Sequence, residues 1–274
     1  MCTASTGDTL YTSVGGKRAA RGVDGVVAQK KTEGGEGERL VEPSLWERLE
    51  RPAPTRRAAL TLERIAAAAV ELADEEGGAA VTMRRLAARL GVAPMAAYRH
   101  VSGKEDLWAL MFDRVSAELT VPDDVADWRE VLRSFALQTR ELMLRHPWLG
   151  GAPLPLIQLT PARMAVAERQ LSALGGHGLD ADEMVAAFRA VGAFVHGATQ
   201  TEIALRQYRE QHGWKSGDET REALAPQMNY LMRSGRYPTY KKYALSATRK
   251  DDPAWEFEFG LDCVLDGIAR RLGI

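Results

Sequence analysis

Residues 82–104, TMRRLAARLGVAPMAAYRHVSGK, contain Arg84, Arg85, Arg89, Arg99 and Lys104 but no Asp or Glu. The 274-residue chain as a whole has a formal charge of −1, so any attraction for a polyanion must be local. Clustered cations neutralise phosphates and release counterions, which makes binding fall steeply with salt. Within the stretch, the Arg84 guanidinium can fork onto a guanine edge, while Met95 and Ala96 can touch thymine methyls. Tyr98 and His100 can donate hydrogen bonds to phosphates, with Thr82 and Lys104 clamping the backbone beside them. Plainer readings stand beside these: a solvated basic face, a packing role for Tyr98, a capping role for His100.

Positioning these groups requires a particular local fold. Thr82 can cap a helix running to Leu90, Gly91 supplies a left-handed turn, and Pro94 opens a short helix where its missing N–H costs nothing. Small Ala87 and Ala97 let the two helices cross closely. Leu86, Leu90, Val92 and Val101 can seat the pair on an earlier helix. That helix is capped by Thr61, ends at Gly77-Gly78, and carries Leu62, Ile65, Ala66, Ala69, Val70, Leu72 and Ala73 on one face. A fourth helix is expected over Lys104–Leu119. The pattern is a helix-turn-helix whose second member, Pro94–Val101, enters the major groove of DNA.

The rest of the chain is organised around this unit. Residues 1–40 are rich in Gly, Ser, Thr and charge without hydrophobic period, which predicts disorder. Residues 41–57 are transitional, with one apolar turn at Leu45, Trp46 and Leu49 and a basic arm at Arg51, Arg56 and Arg57. The expected division is an N-terminal extension, 1–57, a helix-turn-helix domain, 58–120, and a second helical domain, 121–274. Helical periodicity marks Val125–Arg145, Thr160–Leu174, Asp180–Gln211, Asp218–Ser234 and Asp252–Leu272. Pro147, Gly175-Gly176, Gly213 and Pro238 read as breaks between them. No strand pattern is present, so the fold class is all-α.

The run TMRRLAARLGVAPMAAYRHVSGKEDL, after an amphipathic helix ending ELADEEG, resembles the DNA-binding domain of the TetR family of bacterial regulators. The likeness spans roughly Leu60–Leu119, and Tyr98-Arg99-His100-Val101 followed by Lys104 and Leu107 is its most specific part. It implies phosphate contacts at Thr82, Tyr98, His100 and Lys104, and base-facing positions at Arg84, Pro94, Met95 and Ala96. The tetracycline-repressor branch often has polar residues where this chain has Pro94 and Ala96, so fewer hydrogen bonds to bases are available here.

The tail EFEFGLDCVLDGIARRL resembles the last helix of a tetracycline-repressor-like C-terminal domain, and Asp180–Gln211 resembles the long helix that pairs with it. The resemblance implies a homodimer through a four-helix bundle. The apolar residues available for it are Phe188, Val191, Val195, Phe257, Leu261, Val264, Leu265 and Ile268, with small Gly192, Gly197 and Ala198. Equally, both stripes can serve the protomer's own core. The second domain is further expected to bind a small effector. Candidate contacts are Phe135, Gln138, Thr139 and Met143 on one helix, Met164 on the next, and Phe188, His196 and Gln200 on the long helix. Trp148 and the loop from Gly150 to Pro155 can guard an entrance.

Other functional classes find little support. The histidines, His100, His146, His177, His196 and His212, do not fall at metal-ligand spacing. There is no nucleophile elbow, phosphate-binding loop or dinucleotide fingerprint. No catalytic residue, metal or cofactor is expected. Cys2 and Cys263 are too few for a disulfide framework and suit the cytoplasm. No apolar run is long enough to span a membrane. The expected function is a repressor released from operator DNA by a small molecule. An activator, a regulator controlled by a protein partner and, remotely, a helical enzyme are the alternatives.

Overall fold

Helices start where a small polar side chain can receive an orphan amide. Thr61 Oγ1 accepts from Arg64 N, Thr82 Oγ1 from Arg85 N, Thr160 Oγ1 from Arg163 N, and Ser216 Oγ from Glu219 N. Asp180 and Glu183 form a reciprocal capping box, and Asp127 and Asp252 cap two further starts. The computed structural model describes residues 45–50, 60–120, 125–151 and 159–274, the side chains of 49 and 50 excepted. The expectations for residues 1–40, for the arm at Arg51, Arg56 and Arg57, and for the loop beyond residue 151 lie outside the described residues.

The described helices are α1 (Leu45–Glu50), α2 (Leu62–Glu76), α3 (Met83–Leu90), α4 (Pro94–Tyr98), α5 (Lys104–Ser116), α6 (Trp128–Arg145), α7 (Pro161–Leu174), α8 (Ala181–Gln211), α9 (Gly217–Arg233), α10 (Pro238–Ser246) and α11 (Pro253–Leu272). Short 3₁₀ turns at Gly78–Ala80, Pro147–Gly151 and Gly175–His177 join some of them. No strand occurs among the described residues. Four boundaries differ from expectation. The helix expected from Val125 begins at Trp128, where Asp127 caps it. The reading helix stops at Tyr98, because Arg99 and His100 turn out of it. The helix beginning at Lys104 ends at Ser116 instead of Leu119. Pro238, read as a break, instead opens α10, where proline at the first helical position loses no hydrogen bond.

Leu45–Ile274 forms one compact unit with two hydrophobic clusters. The first joins α2, α3, α4 and α5 through Ile65, Leu86, Ala97, Val101, Leu107 and Met111. It also takes in Leu142, Met143, Trp148, Leu149 and Ile203, and so crosses the boundary expected near residue 121. The second joins α6, α8 and α11 through Val131, Leu132, Val191, Val195, Leu261 and Leu265. Gly260 lets α11 lie close to α8, since a Cβ there would meet the Phe194 ring at 2.6 Å. Helix α5 packs on α2 on one side and on α7 on the other, and thus bridges both clusters' elements. No helix among the described residues is long and apolar enough to cross a membrane.

Candidate DNA-reading surface and effector cavity

The turn between α3 and α4 is built as the sequence predicts. Gly91 has φ 67° and ψ 30°, in the left-handed region, and its amide closes α3. Ala87 and Ala97 are fully buried where the two helices cross, and Leu86 and Val101 anchor them on α2. This leaves Thr82, Arg84, Pro94, Met95, Tyr98 and Lys104 exposed together, with Ala96 and His100 half-buried. Met95 at 70 % exposure is the most prominent apolar side chain of the tip. Neither Arg84, Arg99 nor Lys104 has an ion-pair partner among the described residues.

The basic stretch is acid-free in sequence but not in space. Arg85 pairs with Glu76, and Arg89 makes a two-pronged contact with Glu75, one prong at 2.7 Å, and reaches Glu71. These acids lie on the last turns of α2. Hydrogen bonding from Arg89 holds the Glu75 carboxyl below its ordinary value, and Glu75 in turn raises Arg89. Two of the five cations therefore tie α3 to α2, and Arg84, Arg99 and Lys104 remain for a polyanion.

A further cation was not singled out in the sequence. Arg48 on α1 donates to Ser102 Oγ at 2.7 Å and pairs with Asp106, whose carboxylate also accepts from Ser102 N at 2.8 Å. The turn that delivers Lys104 is thus pinned from outside the helix-turn-helix. Leu45, buried on the same helix, and Trp46, whose Nε1 donates to Leu159 O at 3.1 Å, hold α1 in place. The apolar turn at Leu45 and Trp46 was the sequence signal for this helix.

Behind the reading unit lies a cavity of about 630 Å³ walled by the end of α5 and by α6 and α7. Its lining includes Leu119, Thr120, Phe135, Gln138, Val166 and Gln170. Gln138 is committed at both ends of its amide: Oε1 accepts from Thr120 N at 2.9 Å, and Nε2 donates to Thr120 O at 2.7 Å. Thr139 Oγ1, Gln170 Nε2, Thr199 Oγ1 and Gln200 Nε2 are buried without hydrogen-bond partners among the described residues, and of these four residues only Gln170 lines this cavity, so the expected contacts Thr139 and Gln200 do not. Each such atom costs about 1–3 kcal/mol unless a water or ligand satisfies it. Gln170 was not among the sequence candidates, because a glutamine on a helix gives no periodic signal of burial.

The other candidates distribute differently. Met143 is buried in the cluster shared with α2 and α5, and Phe188 packs half-buried against the second cluster. Met164 is 53 % exposed and His196 is exposed on α8, so neither lines this cavity. Trp148 is no gate: it is buried against Trp108 and Phe112, with Nε1 donating to Asp74 Oδ1 at 2.7 Å. His146 Nδ1 meets the same oxygen at 2.7 Å, so Asp74 on α2 clasps the end of α6. A larger hollow of about 850 Å³ lies between α8 and the start of α11. Arg206–Glu202 and Arg209–Asp251 pair within its lining, which also holds Glu210, Lys215, Lys250 and Glu256 and, of the residues weighed for dimerisation, Ala198 and Phe257.

Comparison with known proteins matches residues 59–111 to "Bacterial regulatory proteins, tetR family" and residues 121–272 to "Tetracyclin repressor-like, C-terminal domain". The chain belongs to the TetR family. Similar relatives include the HTH-type transcriptional repressor DrrR1 of Streptomyces coeruleorubidus, 34 % identical over 84 % of this chain and 86 % of that protein. An HTH-type transcriptional regulator of Saccharopolyspora erythraea is 30 % identical over 91 % of this chain and all of its own length. Among solved structures, Streptomyces coelicolor ActR in complex with actinorhodin superposes with a TM-score of 0.63 at 28 % identity, covering 77 % of this chain and 96 % of that one.

In this TetR-family chain the apolar stripes of α8 and α11 serve the protomer's own core. Val191, Val195, Phe257, Leu261, Leu265 and Ile268 are all buried between α6, α8 and α11. What faces outward is Gly197, as expected, with Ala193 and His196 on α8, and Phe259, Cys263 and Gly267 on α11, which the sequence did not single out for dimerisation. A Cβ added at Gly197 or Gly267 would meet nothing within 4 Å.

Proposed function

We propose that this chain is a repressor, acting in the cytoplasm as a homodimer, that leaves its operator when a small organic effector fills the cavity beside α5. The observation that carries the reading is the span of α5. Its first residue, Lys104, stands at the reading surface, and Ser116–Thr120 at its other end wall the cavity. Its 13 residues make a rod about 20 Å long. Asp113 on α5 also caps α7 through Ala162 N at 2.8 Å, so the rod is held on the cavity's floor and flank together.

Gln138 supplies the coupling. An effector that competes for its amide removes the clamp on Thr120 and frees the end of α5. Two recognition helices must sit about 34 Å apart to enter successive major grooves, so a tilt of α5 in each protomer spoils the fit. The effector need favour the released arrangement by only a few kcal/mol. Pairing of protomers is assigned to the outward faces of α8 and α11, where small residues permit close approach around Phe259. The relatives named as repressors and the ligand-bound neighbour support the same reading.

The test is to select fragments from genomic DNA with the purified protein and titrate them by fluorescence anisotropy. Palindromic sites bound with a steep salt dependence, and released by a compound that also protects the protein from heat, are the expected result. Binding without sequence preference, or one subunit per site, would falsify it.

A further inference from the structure

Arg163, in the first turn of α7, differs from its neighbours inside the helical domain. Arg129, Arg133 and Arg140 on α6 meet Asp266, Asp262 and Glu202 respectively. Arg163 has no carboxylate partner among the described residues. Its guanidinium lies instead over the Phe135 ring, 5.6 Å from the centroid. Burial pushes its pKa down, with no neighbouring anion to oppose the shift. A cation withdrawn from water with only a π face beside it is costly until an anion completes it.

That cation adjoins the effector cavity. Phe135, on which it stacks, is a wall of the cavity, and so are Ala162 and Val166, one residue before and three after it on α7. Gln170, 2 % exposed and one helical turn beyond Val166, lines the same space, and its Nε2 has no partner among the described residues. Of the cavity's other polar lining, Gln138 is bound to Thr120, Arg169 donates to Val125 O, and Ser172 donates to Glu168. The Arg163 cation beside the cavity and the Gln170 amide are the donors that leave negative charge and an acceptor oxygen to be supplied by the occupant.

We propose that the effector is an organic acid with an apolar body, whose carboxylate or equally acidic hydroxyl pairs with Arg163 while its body packs on Phe135 and Val166. The proposal rests on the reading of this cavity as the effector site. Gln170 Nε2 donates a hydrogen bond to a second oxygen of the same molecule. Effector recognition then removes a desolvated charge from the unliganded state, so charge pairing contributes to the driving force for release of DNA.

Naphthoic acid and naphthamide, one body with and without the charge, test this near neutral pH by tryptophan quenching and by the shift in Tm. The wild-type protein should bind the acid roughly ten-fold more tightly than the amide. Arg163→Met should bring the two within about two-fold of each other, and Arg163→Lys should keep part of the preference. The unliganded Arg163→Met protein should melt no lower than wild type, because the change removes an unpaired charge, and this separates lost recognition from lost fold. Equal binding of acid and amide to wild type overturns the acid preference but leaves the cavity a ligand site. Retention of the preference in Arg163→Met overturns the role of Arg163, and binding of neither probe overturns this proposal and the cavity's role together.

Discussion

Lys104 and Tyr98 are exposed, with no side-chain hydrogen-bond or ion-pair partner among the described residues, so their replacement should be read in DNA binding and not in folding. Lys104→Ala should weaken binding evenly across operators and lower the slope of log affinity against log salt by about one. Arg84→Ala should cost about 1–3 kcal/mol and relax preference at one base pair, visible when single-base operator variants are titrated. Uniform weakening would make Arg84 a phosphate contact instead. Gln138→Ala leaves the backbone N–H and C=O of Thr120 without this partner. It should weaken operator binding in the absence of effector and blunt the response to it, measured by anisotropy with and without ligand. At this scale the sequence was informative where a residue's type meets an exposed position. It was silent on Arg48 and Gln170, whose roles depend on chain segments far away.

Among the elements, α3 shows how charge can mislead when read along the chain. Arg85 and Arg89 look like part of one DNA-binding patch, yet α2 places Glu71, Glu75 and Glu76 against them. The folded carboxyl of Glu75 titrates below its ordinary value of about 4.5 because Arg89 hydrogen-bonds it. Its contribution to stability is therefore complete above that pH and is lost as pH falls through the lowered value. The difference in urea midpoint between wild type and Glu75→Gln should accordingly shrink on acidification, while affinity for DNA at neutral pH changes little. Gly91→Ala places a Cβ at φ 67° and should cost about 1–2 kcal/mol by the same denaturation assay. Gly150→Ala is a sharper probe, since its Cβ would fall 1.3 Å from Gln200 Nε2, an atom without a partner among the described residues. It should displace the turn carrying Trp148, detectable as changed tryptophan fluorescence.

Over the whole molecule, the coupling reading depends on α2 and α6 being joined. Asp74 receives both His146 and Trp148, and the aromatic group of Trp108, Phe112 and Trp148 fills the space behind them. The unit from Leu45 to Ile274 is therefore expected to unfold in a single transition, checked by coincidence of far-ultraviolet circular dichroism and tryptophan fluorescence. Assembly is tested separately. Phe259→Asp should shift the protein to monomer in sedimentation velocity and abolish tight operator binding, while leaving helix content unchanged. The outward position of Phe259 makes that separation possible; Phe257, two residues away and 3 % exposed, would take the fold with it.

By itself the sequence determined the helical fold, the helix-turn-helix and its family. Those follow from local signals: capping residues, Gly91, Pro94, small crossing alanines and apolar spacing within one helix. Only the tertiary structure decided which cations are spent on α2, which stripe of α8 and α11 is core, and which polar side chains wall the cavity. Helical periodicity reports that a face is apolar, not what covers it. Ion pairs such as Arg89–Glu75 and clamps such as Gln138–Thr120 join residues from different helices. Their partners are set by helix packing, which no single stretch of chain encodes.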